Sequence, residues 1–422
     1  MGQGGEIERR RMNSIDSAIL IISTLDTKAL ETFYLRDQIR ALGGRALTMD
    51  LSMGAAAKEK ADILPDRIAL AGGSDIETIR VSRDRASITR TMTQGAIQVV
   101  RELWKEGKLG GMIGLGGATL SMIATEIMRA LPFGVPKLMV SSSAALPGLS
   151  TRYIGTGDIV LFHTVIELSG LSPHLQNVLN RAARAVWAMV QEPRFSAEAA
   201  KGSAQKQIAL SMFGPCDPCA HLVQDGLTQA GFQVIGFHAA GICDRAMEEM
   251  LAEGYFDGVV DLAPGGVGEQ LLGGMRAAGP KRLEAAGKAG IPQVIAPSGV
   301  NFMSPSRKNY KPDYAQRPKY DLDKDRTWLR LNTDELRRVA EVMAGKLNQA
   351  QGPVILLIPT RGWSTADAPG SAAYDPEGDR VFTQTLRQQC KPEITIQTIE
   401  AYLNDPDFAR AAVEAMIRVL RT

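Results

Sequence analysis

Residues 110–121 read G-G-M-I-G-L-G-G-A-T-L-S, and this stretch decides the fold. A short apolar run, Met112, Ile113 and Leu115, enters a glycine cluster at Gly114, Gly116 and Gly117. Ala118 and Thr119 then open a helical pattern, with Leu120, Ile123, Ala124 and Ile127 spaced i, i+3, i+4, i+7. Strand, glycine-rich turn and helix start in succession are the arrangement that binds anions. Glycine lets the backbone approach a phosphate, and the helix start presents unpaired N–H groups and a partial positive charge. The motif is neither G-x-G-x-x-G nor a P-loop, since no G-K-[ST] follows. Any α/β protein also needs tight strand-to-helix turns, so on its own the stretch speaks for the fold more than for a ligand.

The flanking chain repeats the theme. Residues 17–24 are a near-continuous apolar run of the kind found in a parallel strand covered on both faces. Residues 30–42 carry helical periodicity and end at Gly43 and Gly44, and residues 46–51 form a second strand ending in Asp50. This βαβ opening predicts a right-handed crossover in a parallel sheet. Residues 52–86 read as loop, 87–104 as a long helix, 135–142 as a strand, 143–158 as a loop and 173–190 as a helix. Residues 191–205 turn small and polar, as linkers do. From residue 207 the alternation restarts, with strands at 207–213, 232–237, 256–262, 291–296, 354–358 and 393–398 and helices at 243–253, 334–348, 379–389 and 408–420. Residues 301–333 are charged and irregular and read as a long surface loop or a clasp between domains. The expectation is α/β: a disordered leader at 1–16, then two successive doubly wound, mostly parallel Rossmann-like domains at 17–195 and 206–422. Ligands are expected outside the carboxyl ends of the strands, in an inter-domain cleft.

Composition excludes more than it identifies. At 422 residues two domains are the prior, and 45% hydrophobic with 22% charged is ordinary globular usage. A net charge of +2 gives no global field toward nucleic acid or an anionic membrane, and the basic run Arg9, Arg10 and Arg11 reads as a solvated extension. The longest apolar runs are strand length, and no signal peptide is read ahead of them. Four cysteines make no disulfide framework, so a reducing cytoplasm is expected.

Several groups carry candidate chemistry. Thr27 and Lys28, where the first strand becomes a helix, are placed to hold a phosphate beside Gly116, Gly117 and Thr119. Asp26 caps the helix or holds a metal through water, and Asp158 joins it in orienting a metal or a ribose. Ser142 offers a hydroxyl, and Gly155 and Thr156 lie in a third turn, Y-I-G-T-G, expected to converge with the other two. In the second domain Glu269, after G-G-V-G, and Arg361, after an apolar strand, are the candidate catalytic pair, facing a second substrate. Capping, turn formation and surface ion pairs account equally for each of these taken singly. Cys216 and Cys219 form a C-x-x-C at a helix start: a redox pair, or simply a shaped turn. His163 and His174 lack a carboxylate partner in sequence, and no metal site is read.

Longer motifs carry a resemblance. They are T-L-D-T-K (24–28), D-R-A-S-I-T-R-T-M-T-Q-G-A (84–96), G-L-G-G (114–117), L-P-F-G-V-P-K (131–137) and Y-I-G-T-G-D-I-V (153–160). Four more follow: A-G-P-K-R-L-E-A-A-G-K-A-G-I-P-Q-V (278–294), R-G-W-S-T-A-D-A-P-G (361–370), D-P-E-G-D (375–379) and N-D-P-D-F-A (404–409). In this order they resemble the tobamovirus-resistance-protein-like ATP-binding family. The resemblance implies two Rossmann-like subdomains, a homodimer and ATP, with magnesium as its companion; it implies no reaction. The glycine turn is shorter here than the family pattern, which suits a smaller phosphate or carboxylate as well as ATP. Two functions are therefore expected as alternatives. One is a cytoplasmic protein, uncertain as an enzyme, acting on ATP or another phosphorylated small molecule. The other is a non-catalytic, nucleotide-stabilised dimer that binds a protein partner.

Overall fold

A computed structural model describes residues 17–54, 56–323 and 326–421; the expected leader and its arginine run lie outside them. The chain divides into two compact units on either side of the Phe195–Ser196 bond. In the first, strands β1 (Ala18–Ser23), β2 (Arg45–Asp50), β3 (Leu109–Gly116), β4 (Lys137–Ser141) and β5 (Val160–His163) alternate with helices. The helices are α1 (Leu25–Ala41), α2 (Pro65–Ala71), α3 (Ile76–Val81), α4 (Arg85–Lys105), α5 (Ala118–Met128), α6 (Ser150–Ile154) and α7 (Pro173–Gln191). The strands form one parallel sheet in the order β2-β1-β3-β4-β5. The order reverses between β1 and β3, which makes their carboxyl ends the topological switch point.

The apolar run of β1 is what makes this sheet central. All six of its residues are buried. Leu20 and Ile22 enter one core layer with Met92 of α4 and Ile123 of α5. Ile19 and Ile21 enter the opposite layer with Ile39 of α1 and Leu179 of α7. Alternate residues of a strand point to opposite faces, so a sheet covered on both sides needs an apolar residue at every position. Truncating one of these isoleucines to alanine costs about 2–5 kcal/mol.

The second unit has strands β6 (Gln207–Met212), β7 (Gln233–His238), β8 (Gly258–Asp261), β9 (Gln293–Ile295), β10 (Phe302–Met303), β11 (Lys319–Asp321), β12 (Thr327–Arg330), β13 (Val354–Pro359) and β14 (Thr395–Ile399). Its helices are α8 (Ala197–Lys201), α9 (Asp217–Gln229), α10 (Ile242–Glu253), α11 (Gly266–Leu272), α12 (Ala285–Lys288), α13 (Thr333–Leu347), α14 (Pro376–Gln389) and α15 (Pro406–Arg421). Six strands make a second parallel sheet, β14-β13-β9-β8-β6-β7, whose switch point lies between β6 and β8. The expected fold class of two successive doubly wound α/β domains is what the chain adopts.

Local departures have physical causes. Residues 301–333 contain a small antiparallel sheet, β10-β12-β11, in place of the expected loop or clasp. Tyr320 stacks on Trp328 with ring centroids 5.6 Å apart, a cross-strand pair that charged flanks conceal in the sequence. The Asn332 side chain caps α13 reciprocally with Glu335. The edge strand β5 was not read from the sequence, and its half-exposed Val160–His163 lacks the apolar density of the inner strands. The polar segment 191–205 contains α8, anchored by buried Ala200.

Candidate functional site

The first switch point lies where β1 ends at Ser23 and β3 ends at Gly116, and the Ser23 hydroxyl donates to the Leu115 carbonyl at 3.3 Å. A cavity of about 240 Å³ opens there, lined by Thr24, Thr27, Lys28, Gly116, Gly117 and Thr119, with Leu120 and Ile123 as an apolar wall. Gly117 is the N-cap of α5, extended at φ −85° and ψ −163°, and no side chain caps the helix. The first-turn N–H groups of a helix have no intrahelical acceptor, so this end is electropositive and unsatisfied. The two glycines differ in what a side chain would meet. A Cβ on Gly116 would lie 2.6 Å from Leu120 Cδ2, so the turn could not pack on its own helix. A Cβ on Gly117 would meet only the Ser142 hydroxyl, at 3.9 Å. That glycine keeps open a space that a side chain would fill. Behind it Ser141 and Ser121 hydrogen-bond at 2.7 Å and fix the turn to β4.

The start of α1, across the same cavity, is already satisfied. The Leu25 N–H donates to Asp50 Oδ1 at 2.9 Å and the Asp26 N–H to Ser52 Oγ at 3.0 Å. An anion arriving at the switch point therefore meets free donors on α5, and a buried carboxylate behind those of α1. Lys28 interrupts the helix with φ −128° and ψ 24°, and its ammonium donates to the Leu168 carbonyl. That acceptor is neutral, and Lys28 makes no ion pair among the described residues, the buried Glu31 one turn on accepting instead from the Gly170 N–H at 2.6 Å. Thr24 and Thr27 share a hydroxyl–hydroxyl bond of 3.0 Å on the same rim. Asp26 is exposed and turned toward Gly54, outside the lining.

The structure thus brings together Thr27, Lys28, Gly116, Gly117 and Thr119, with Ser142 beside Gly117. It does not bring Gly155, Thr156 and Asp158 to them. Asp158 accepts from Lys137 Nζ and from the Gly134 N–H, each at 2.7 Å, and Lys137 is the first residue of β4. Gly155 packs against the stem of Arg129, the C-cap of α5, whose Nη1 donates to the Tyr153 carbonyl at 2.7 Å. These residues therefore sit at the amino edge of the sheet, roughly 16 Å from the α5 start at 1.5 Å per helical residue. The reason is topological: residues just ahead of a parallel strand lie at its amino end, and β5 begins at Val160. The expected convergence of three turns is a convergence of two.

The second-domain candidates are engaged elsewhere. Glu269 is fully buried and accepts from Arg276 Nε at 2.9 Å and from the Ser304 N–H at 2.8 Å. Arg276 in turn lies over the Phe213 ring at 4.5 Å. Arg361 is exposed and pairs at 2.9 Å with Glu400, itself exposed. Cys216 and Cys219 are buried free thiols. Burial pushes the Cys216 thiol up to about 12 and that of Cys219 higher still, the reverse of what a redox nucleophile needs. Asn404 accepts from the Cys219 N–H at 3.2 Å and closes the α9 start. Sequence reasoning missed Arg276, Asn404 and the Leu168 carbonyl. Their partners lie 7, 185 and 140 residues away, and no local pattern marks such pairs.

Among the described residues no group of three or more His, Cys, Asp or Glu side chains is placed to hold a metal, and no helix is long and apolar enough to cross a membrane. Comparison with known proteins covers both units. Residues 17–194 match the N-terminal domain of an uncharacterised protein family, UPF0261, and residues 205–420 match its C-terminal domain. A UPF0261 protein of Clostridium tetani is 33% identical over 408 residues, spanning 96% of this chain and 100% of the relative. One of Brucella suis is 32% identical over 407 residues, 95% of each chain. The ToMV resistance protein Tm-1(GCR237) of Solanum lycopersicum is 30% identical over 318 residues, 74% of this chain and 42% of that protein. With both domain signatures in order and end-to-end relatives of like length, the chain belongs to the uncharacterised protein family UPF0261.

Proposed function

We propose that the first domain binds a phosphorylated small molecule, ATP or a smaller phosphate ester, at the β1/β3 switch point. One observation carries the reading: an uncapped helix start faces a cavity that glycine keeps open, beside a lysine that makes no ion pair among the described residues. Phosphate oxygens accept from the α5 first-turn N–H groups, Thr119 and Ser142 add hydroxyls, and Lys28 exchanges the Leu168 carbonyl for the anion. At about 240 Å³ the cavity is smaller than the roughly 300–1,000 Å³ usual for drug-sized ligands, so it suits a phosphate group more than a whole nucleotide. The base and ribose of ATP would then lie outside it. Where the ligand is a nucleotide, magnesium would accompany the phosphates, and Asp26, outside the lining, would reach it only through water. A site of this kind supports an enzyme of phosphate esters; the homodimer and the cytoplasmic setting rest on the resemblance and on cysteine usage.

The test is thermal stability of the full chain with ATP, ADP, AMP and inorganic phosphate, each with and without magnesium, alongside Lys28→Ala. A ligand at a hundredfold excess over its dissociation constant stabilises by about 2.7 kcal/mol, a readily measured shift in Tm. The expected result is a shift that Lys28→Ala reduces. No shift with any of the four would refute the reading.

A further inference from the structure

A second cavity, about 660 Å³, lies in the second domain between α10 and residues 278–289. Its size falls within the range of small-molecule sites. Arg245, Glu249 and Ala252 face it from α10, and Lys281, Ala285 and Ala289 from the opposite wall. The wall is fixed rather than loose. Glu248 accepts the N–H groups of Leu283 at 2.7 Å and Ala285 at 2.8 Å, and it also pairs with the buried Arg282 at 3.1 Å. Leu283 is held at φ +69°, a left-handed conformation that a buried leucine keeps only where its surroundings impose it. Gly279 is at φ +78°, a conformation that favours glycine, and the Arg245 stem runs beside it, since a Cβ built there would be in ordinary contact with Arg245 Cδ at 3.5 Å. Arg245 thus lies along the loop that carries Lys281.

The charge balance of the lining sets the ligand class. Arg282 with Glu248 and Asp261 carries one negative charge, Glu284 with Lys288 and Lys346 carries one positive charge, and these two clusters cancel. Arg245, Lys281 and Glu249 have no partner among the described residues. Two cations against one carboxylate leave a single positive charge, and Glu249 opposes a polyanion. The small apolar faces of Ala252, Ala285 and Ala289 suit a compact apolar body. We propose that this groove binds a small organic monoanion, its charged head on Arg245 and Lys281 and its apolar part on the alanines. The site is separate from the switch point of the first domain and does not rest on that reading.

Benzoate is a suitable probe, titrated into the full chain labelled at alanine methyl groups and followed by NMR. The methyls of Ala252, Ala285 and Ala289 should shift saturably, while that of Ala118 at the first-domain turn reports separately on that site. The double variant Arg245→Glu with Lys281→Glu changes two exposed side chains and should raise half-saturation about tenfold or more, whereas Arg245→Lys with Lys281→Arg should retain binding. Groove methyls that do not move, or that move with the same half-saturation in the charge-reversed chain, would overturn the proposal.

Discussion

The two domains share one topology and use its switch point in opposite ways. In the first, the α5 start after Gly117 has no side-chain cap and faces a cavity. In the second, the corresponding start of α11 also lacks a side-chain cap, but its first turn, Gly266 to Glu269, is buried, and a Cβ on Gly265 would lie 2.4 Å from the Gly299 carbonyl oxygen. The α9 start there is closed by Asn404, and the surrounding space holds Arg276, Glu269 and Phe213. A parallel α/β sheet offers an electropositive, glycine-lined crevice wherever its strand order reverses. What decides whether a ligand enters is whether the chain fills that crevice itself. Here one copy is left open and the other is filled.

Breaking the filled copy should have the largest effect. Glu269→Ala leaves the Arg276 guanidinium, only 13% exposed at its side chain, without its carboxylate. Removing one partner of a buried pair costs about 3–5 kcal/mol, read as a lowered urea midpoint. A loss below about 1 kcal/mol would mean that the second crevice is not held by this pair.

The second domain should also make stability depend on pH. Burial raises Asp379 to about 7, against which Arg330 at 2.5 Å only partly acts, and burial raises Asp244 to about 6. Both lie above the ordinary aspartate value of 3.8, so the folded state holds protons that the unfolded chain has released. Their contribution is complete below about pH 4 and is lost as pH rises through 6 and 7. Asp379→Asn should flatten this decline by on the order of 2 kcal/mol in denaturant titrations between pH 5 and 7.5. An unchanged slope would contradict the assignment.

The open copy should respond in ligand binding and hardly at all in stability. Gly117→Val places a side chain in the cavity at a backbone conformation valine accepts, so its cost should be about 1 kcal/mol or less, while the ligand-induced Tm shift disappears. Lys28→Ala should weaken binding about tenfold, the value of one charge-assisted contact. The smallest effect is expected from Arg361→Ala. Its pair with Glu400 is exposed on both sides and should be worth under about 1 kcal/mol, with ligand binding unchanged.

The fold was legible because its determinants are local. The six-residue apolar strand β1, the glycine-to-helix turn at Gly116, and the restart of the pattern near Gln207 each declare themselves within a short window. The site was legible to the extent that it is built from strand-end turns, which is why Thr27, Lys28, Gly116, Gly117 and Thr119 meet at one cavity. Gly155, Thr156 and Asp158 were misplaced because their turn is read equally well as following β4 or as preceding β5, an edge strand whose half-exposed residues gave no signal. Glu269 was misjudged for another reason. A carboxylate after a glycine turn looks available until Arg276 and Ser304 are seen to surround it.

The central claim is that the open crevice of the first domain is an anion site and the filled one of the second is not. Calorimetric titration of pyrophosphate into the wild-type chain and into Gly117→Val tests it most directly. The account predicts one site per chain in the wild type and no detectable binding in the variant, with both chains melting within a few degrees of each other without ligand. Equal binding by the two chains would contradict it, because the phosphate would then lie somewhere other than the α5 start.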